Sequence, residues 1–371
     1  MPRNKRRKRG NKMSGSYEAE LKEMLAKIRP ADRAAMDAAK AHWKTVGKPL
    51  NSLGKLEDAV TRMAGIYETA DYGIRKKGLV VMCADNGVVA EGVSQSGQEV
   101  TAIVAENFTR RATSTCLMAE LAGVDLYPVD IGMAVDVPAV TRPEYKIMNG
   151  TKDMLLEPAM TREQAAKAVL TGLKIAEKLA ADGYNLLATG EMGIGNTTTS
   201  SAVASVLLDK NVEEVTGRGA GLSSDGLNRK IEVIRAAVAK HRPNRGNILD
   251  VLSKVGGLDI AGLAGVFLGG ALCRIPVLID GFISSVAALC AARMCPAAAD
   301  SMMPSHRSGE PAGGMVLEEL HLSPYIDCNM SLGEGSGAVA VIPLLEMGLK
   351  VYREMSTFEE IHVEQYEEFN D

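Results

Sequence analysis

Aromatic side chains are scarce in this 371-residue chain: they make up 4% of it, with one Trp and five Phe. Proteins that hold single-stranded nucleic acid stack its bases on such rings, so that activity is set aside. An excess of one charge is also missing. Lys plus Arg number 42 against 46 for Asp plus Glu, a net charge of −4, which argues against a nucleic-acid binder. The five histidines show no metal-ligand spacing, and the six cysteines (Cys83, Cys116, Cys273, Cys290, Cys295, Cys328) include no CxxC pair. The expectation is therefore no metal, no cofactor, and reduced, mostly buried thiols in a cytoplasmic protein. The basic N-terminus lacks the apolar core of a signal peptide. The longest apolar stretch, residues 258–292, carries Asp259, Arg274 and Asp280 and reads as core elements of a soluble protein, with no membrane span.

The most informative stretch is GEMGIGNTTTSS, residues 190–201. A buried strand is expected before it over 184–189, and a helix after it over 200–208. Gly190, Gly193 and Gly195 are expected in the turn, where glycine lets the backbone come close to a ligand. A helix N-terminus with hydroxyls beside it favours an anion, most simply a phosphate. The spacing nearly matches GxxxxGK[ST], but Asn196 stands where a nucleoside-triphosphatase needs lysine. The triphosphatase reading falls and the phosphate stays. The competing reading is a strand-to-helix turn needing glycine only for steric reasons. Glu191 weighs against it, because a carboxylate in an anion loop is unfavourable unless it meets a sugar hydroxyl or a developing cation.

Strands alternating with helices argue for an α/β fold with a parallel sheet. Further strands are expected over 78–83, 124–131 and 275–279. Helical periodicity covers 17–46, 100–122, 161–181, 258–272 and 283–293, with another helix beginning near Gly337. Ligands of such sheets sit beyond the carboxyl ends of the strands. Asp85, Asn86, Ser94 and Gln98, which follow the strand over 78–83, are thus site candidates or merely a polar surface loop. A second glycine-rich loop, GRGAGLSSDGLNRK (217–230), contributes Arg218 and Lys230. Its GxGxG spacing fits a dinucleotide fingerprint poorly. PSHRSGEP (304–311) brings His306, Arg307, Ser308 and Glu310, and LGEGSGA (332–338) holds Glu334 between two glycines. A carboxylate so placed near apolar surface suits a general base, or else only complements a helix dipole.

Eight segments, in order from Lys48 to Leu345, together resemble the nicotinate-nucleotide–dimethylbenzimidazole phosphoribosyltransferase family. They are KPLNSLGKLE, ADNGVVAEGVSQSGQEVT, GEMGIGNTTTS, GRGAGL with Lys230, GGLDIAGLAG, PVLIDGFISS, HRSGEP and LGEGSGA. The resemblance implies transfer of the 5-phosphoribosyl group of nicotinate mononucleotide to a cobamide lower-ligand base, giving an α-riboside 5′-phosphate and nicotinate. It implies a Rossmann-like parallel sheet flanked by helices, and a smaller helical domain built from both chain ends. The corresponding division is a basic arm (1–16), the N-terminal helical part of the small domain (17–75), the large catalytic domain (76–325), the C-terminal part of the small domain with the catalytic loop (326–357), and an acidic, mobile tail (358–371). The implied catalytic residues are Glu334, as base, and Glu191, beside the ribose. Gly193, Gly195, Asn196, Thr197, Lys230 and Ser308 are matched to the phosphate. Asp85, Asn86, Ser94, Gln98 and Leu332 are matched to the acceptor base. A homodimer with sites near the subunit interface is implied.

The chain departs from the family pattern at two places. Asn86 stands where the family often has histidine, and Gly97 where it often has proline. Both lie in the region expected to hold the acceptor, which leaves phenols and purines open beside 5,6-dimethylbenzimidazole. A paralogous, partner-dependent subunit of a heterodimer and a dinucleotide oxidoreductase are the competing readings from other classes.

Overall fold

The computed structural model describes residues 16–366. The basic arm expected over 1–16, apart from Ser16, and residues 367–371 of the tail lie outside them. Three helices open the chain: α1 (Ser16–Leu25), α2 (Arg33–Thr45) and α3 (Lys55–Tyr67). The expected helix over 17–46 is two helices, because Pro30 disfavours helix in the residue before it. The second is restarted by Asp32, whose carboxylate accepts from the Ala35 N–H. Strand β1 (Lys77–Ala84) follows, then α4 (Glu99–Thr109), α5 (Ser114–Ala122) and β2 (Val124–Gly132). The expected helix over 100–122 breaks where Arg111 turns left-handed (φ 55°) and Thr113 caps α5 by accepting from the Cys116 N–H. Next come α6 (Arg162–Ala181), opened by a capping box of Thr161 and Gln164, and β3 (Leu186–Met192). The remainder is α7 (Asn196–Leu208), α8 (Val212–Val215), α9 (Ser224–His241), α10 (Ile248–Val255), α11 (Leu258–Leu272), β4 (Val277–Leu278), α12 (Phe282–Met294), β5 (Met302–Met303), α13 (Pro311–Glu319) and α14 (Ser336–Glu354).

The strands form one parallel sheet in the order β2-β1-β3-β4-β5. The strand expected over 275–279 shrinks to two residues, and β5 was not foreseen because two residues carry no pattern. The chain steps outward from β1 to β2 and then returns to place β3 on the other side of β1. Loops leaving β1 and β3 therefore part in opposite directions, which opens a crevice at their carboxyl ends.

Alternation along β1 sends Val80, Met82 and Ala84 into one core and Leu79, Val81 and Cys83 into the other. The first core is built with α6, α7, α10, α11 and α12. Here α6 and α11 meet backbone to backbone: a Cβ on Gly172 would overlap the Gly262 carbonyl, and one on Gly265 would overlap that of Val169. The second core joins α2, α3 and α14 through Trp43, Met63, Leu345 and Tyr352. Leu21 of α1 instead joins the first core, and Glu18 pairs with Arg162 on α6 at 2.7 Å. Beyond α14 the chain is still anchored: Phe358 is buried and its N–H donates to the Thr45 carbonyl at 2.9 Å. Among the described residues no helix is long and apolar enough to cross a membrane.

Candidate active site

A cavity of about 280 Å³ opens at the carboxyl ends of β3 and β4, lined by the loops after β3, before α9, after β5 and before α14. Its floor begins on β3, which runs three residues further than the glycine pattern suggests. Gly190 and Glu191 are therefore strand residues, paired with Val81 and Met82 of β1, and Gly190 is not part of the turn. Its glycine is required from above: a Cβ there would stand 2.6 Å from the Glu334 carbonyl oxygen. The turn itself uses Gly193, pressed on the Ala84 carbonyl, and Gly195, at φ +90°. Gly195 caps α7, which starts at Asn196, ahead of the expected start.

Four acidic side chains gather at this floor. The Asn196 amide donates to Glu191 Oε2 and, at 3.1 Å, to Asp259 Oδ2. Burial and the neighbouring Asp259 push Glu191 up to about 8, against the pull of Asn196. Burial pushes Asp259 up to about 6, with Asn196 and the Ile260 N–H opposing. Asp280, at the end of β4, accepts from the N–H groups of Gly337 (2.8 Å), Ala338 (3.1 Å) and Gly335 (3.1 Å). Burial raises its pKa while His306 and these donors lower it. Glu334 has left-handed backbone (φ 59°) between Gly333 and Gly335, both also at positive φ. Burial holds its pKa above the usual carboxylate range, with Thr115 and Thr113 at the start of α5 opposing. Its buried Oε2 and the Thr115 hydroxyl each lack a partner at hydrogen-bonding geometry among the described residues. A proton-accepting atom is thus held close to, but not quenched by, the protein.

The residues expected to hold the phosphate lie across the cavity. Gly193, Gly195, Asn196, Thr197 and Ser308 all line it. Lys230 stands behind them, fully buried, with Nζ donating to Thr197 Oγ1 (2.8 Å) and the Gly217 carbonyl (3.1 Å). Burial pushes it down to about 8, and Glu310 opposes. Glu310 accepts from the Gly219 N–H at 3.0 Å, and its other oxygen is buried without a partner among the described residues.

The expected acceptor residues divide. Ser94 and Leu332 line the cavity, and Leu332 is half exposed at its rim. Asp85, Asn86 and Gln98 do not line it. Asp85 accepts from the Ala134 N–H (2.7 Å). Asn86 donates to the Ile194 carbonyl (3.4 Å) and accepts from Thr199 (3.3 Å). Gln98 donates to the Asn86 carbonyl (3.0 Å). Asp85 thus fastens the start of this loop to the segment after β2, Asn86 fastens it to the turn before α7, and Gln98 closes it on itself, while Asp85 Oδ1 stays buried without a partner among the described residues. Sequence reasoning missed Asp259 and Asp280 as site residues and gave His306 and Glu310 no role. A strand ending in Asp280-Gly281 was the available signal for one of them. Asp259 was visible only as a charge inside an apolar run.

A parallel α/β sheet with an acidic pocket facing a glycine-built anion loop defines a nucleotide-handling group-transfer enzyme. A family model described as Phosphoribosyltransferase (DBI_PRT) matches residues 28–363. Relatives named nicotinate-nucleotide–dimethylbenzimidazole phosphoribosyltransferase include one from Acetivibrio thermocellus, 45% identical over 94% of this chain and 99% of its own length. Another, from Escherichia coli, is 41% identical over 90% of this chain and 94% of its own length. The crystal structure of CobT from Thermus thermophilus superposes with a TM-score of 0.84 at 35% identity, covering 93% of this chain and 100% of that one. The chain belongs to the nicotinate-nucleotide–dimethylbenzimidazole phosphoribosyltransferase family.

Proposed function

We propose that this enzyme moves the 5-phosphoribosyl group of nicotinate mononucleotide to a cobamide lower-ligand base, 5,6-dimethylbenzimidazole or a related base or phenol. The products are an α-riboside 5′-phosphate and nicotinate. The observation that carries the reading is Glu334: a half-buried carboxylate with an unpartnered oxygen, in the wall of a cavity whose other side is the anion loop. The phosphate sits against Gly193 to Thr197, with Ser308 beside it and Lys230 behind. Remote binding energy of this kind positions C1′. Nicotinate leaves as its ring charge is neutralised, and C1′ gains oxocarbenium character. Glu191, with Asp259 behind it, stabilises that charge. A cation in the cavity favours the ionised form of Glu191 and draws its pKa back down. The acceptor loses a proton as it bonds, and Glu334 takes it, an effect worth roughly 10²–10⁴-fold.

The same reading carries the division into a large domain (76–325) and a small one drawn from 17–75 and 326–357. It carries a homodimer too, supported by the exposed Ile103, Leu117 and Leu121 on α4 and α5. Six free thiols suit the cytoplasm. A partner-dependent, non-catalytic subunit is not favoured, since the groups the chemistry needs are present in one chain. The test is a panel of benzimidazoles, purines and phenols incubated with the purified chain and nicotinate mononucleotide, with products resolved by mass and anomer assigned by NMR. An α-product from at least one acceptor is expected, because a single displacement inverts C1′. A β-product, or no product from any acceptor, overturns the reading.

A further inference from the structure

Thr113 and Thr115 at the start of α5 meet the Glu334 carboxylate from one side, but its Oε2 has no partner at hydrogen-bonding geometry among the described residues, so where it points also depends on how its backbone is held. Its own backbone is left-handed and lies between two glycines, the least restrained residues available. The restraint comes from the peptide groups that follow. Gly335, Gly337 and Ala338 direct their N–H groups onto the single carboxylate of Asp280, one on Oδ2 and two on Oδ1. These are N–H groups of the first turn of α14 and its cap, which no helical carbonyl satisfies. Asp280 is itself fixed: it is 3% exposed, and its N–H donates to Ser284 Oγ at 3.1 Å. Ser284 Oγ lies 2.6 Å from Thr189 Oγ1 on β3. A chain of bonds thus runs from the sheet through Asp280 to the peptide next to Glu334.

We propose that Asp280 is a positioning residue for Glu334, pinning the start of α14 so that the base faces the acceptor. The proposal rests on Glu334 being the base. Asp280 acts through charge as well as geometry. The charged groups around Glu334 are Asp280 and Glu191, and His306 faces Asp280. Asp280 is the anion that opposes ionisation of Glu334, so neutralising it should make Glu334 a weaker base with a lower pKa.

The experiment is a double-mutant cycle on the full chain with Asp280→Asn and Glu334→Gln. Asp280→Asn should lower kcat roughly tenfold or more with nucleotide KM changed less than about threefold. The acid limb of its kcat–pH profile should move to lower pH, which a merely structural defect would not cause. In the Glu334→Gln background the further loss should nearly vanish, because groups acting as a unit are not additive. Ser284→Ala, which frees the Asp280 backbone, is the milder variant should Asp280→Asn not accumulate as folded protein; it should show a smaller loss with the same non-additivity. Losses that multiply in the double variant, or an unmoved acid limb, overturn the proposal. Near-wild-type kcat in Glu334→Gln alone removes the base assignment instead, so the two failures are told apart.

Discussion

The peptide of Glu334 rests directly on Gly190: a Cβ at Gly190 would stand 2.6 Å from the Glu334 carbonyl oxygen and 2.9 Å from the Gly335 nitrogen. Both contacts are to backbone, so no rotamer change relieves them. A residue within β3 therefore sets the height of the Glu334 loop above the sheet.

Gly190→Ala should consequently push Glu334 outward while leaving the anion loop in place. A loss of kcat of about tenfold to 10²-fold is expected, as misplacement near 1 Å can cost that much. The nucleotide KM should change little. Steady-state kinetics at saturating nucleotide, with thermal melting as the folding control, decide it. A variant with wild-type kcat would show that the loop is not held by this contact.

Burial of Glu191 should make the free protein less stable as pH rises. Its ordinary pKa is near 4.5 and its folded value about 8. Below pH 4.5 it is protonated in both states and costs nothing. Between 4.5 and 8 the unfolded chain releases the proton and the folded chain keeps it, so stability declines; above 8 the loss is complete. Linkage puts the loss on the order of a few kcal/mol. Asp259, raised to about 6, adds a smaller effect of the same sign. Glu191→Gln, which still accepts from Asn196, should melt with a shallower pH dependence between pH 5 and 9. Parallel melting curves against pH would mean that Glu191 is ionised throughout.

Lys230 is the buried cation behind the turn before α7, and its two bonds tie Thr197 to the loop at Gly217. Lys230→Met keeps most of the stem volume and removes both bonds. Orphaning the Gly217 carbonyl should cost about 1–3 kcal/mol of stability. The nucleotide KM should rise by an order of magnitude or more, and the acceptor KM much less. If the nucleotide KM holds steady in folded protein, Lys230 serves the loop's architecture and not the phosphate.

Much of this arrangement was legible before folding, and the limits have physical causes. β1 announces itself because both its faces are buried, which demands the continuous apolar run Gly78 to Cys83. The loop before α7 was legible as a turn lining the cavity because glycine and hydroxyl residues cluster at a helix start. Gly190 was misplaced into the turn, since its need for glycine comes from Glu334, far away in the chain. Asp85 and Asn86 look like ligand groups and also hold the loop after β1 in place, for a strand end and a site want the same polar residues. Asp280 escaped because its partners lie 55 to 58 residues further on. Pattern reading sees neighbours in sequence, and this site is assembled from contacts between loops.

Glu334 carries the sharpest expectation. Its pKa is held above the usual carboxylate range by burial, with Asp280 adding to the shift and the threonines at the start of α5 opposing it. A base must be ionised to work, so kcat should fall as pH drops through that raised value, about tenfold per unit once below it. Glu334→Gln keeps the shape and cannot take a proton. Its kcat should fall on the order of 10²-fold or more with a neutral acceptor, with both substrates still bound, and the acid limb should disappear. With a phenol already ionised at assay pH the loss should be much smaller, because no proton remains to be moved. The comparison is made at saturating substrates, with single-turnover kinetics to confirm that chemistry limits the rate. Equal losses for the ionised and neutral acceptors would mean that Glu334 shapes the pocket without accepting a proton. A near-wild-type rate with the neutral acceptor would leave it as a helix-entry carboxylate with no part in the chemistry.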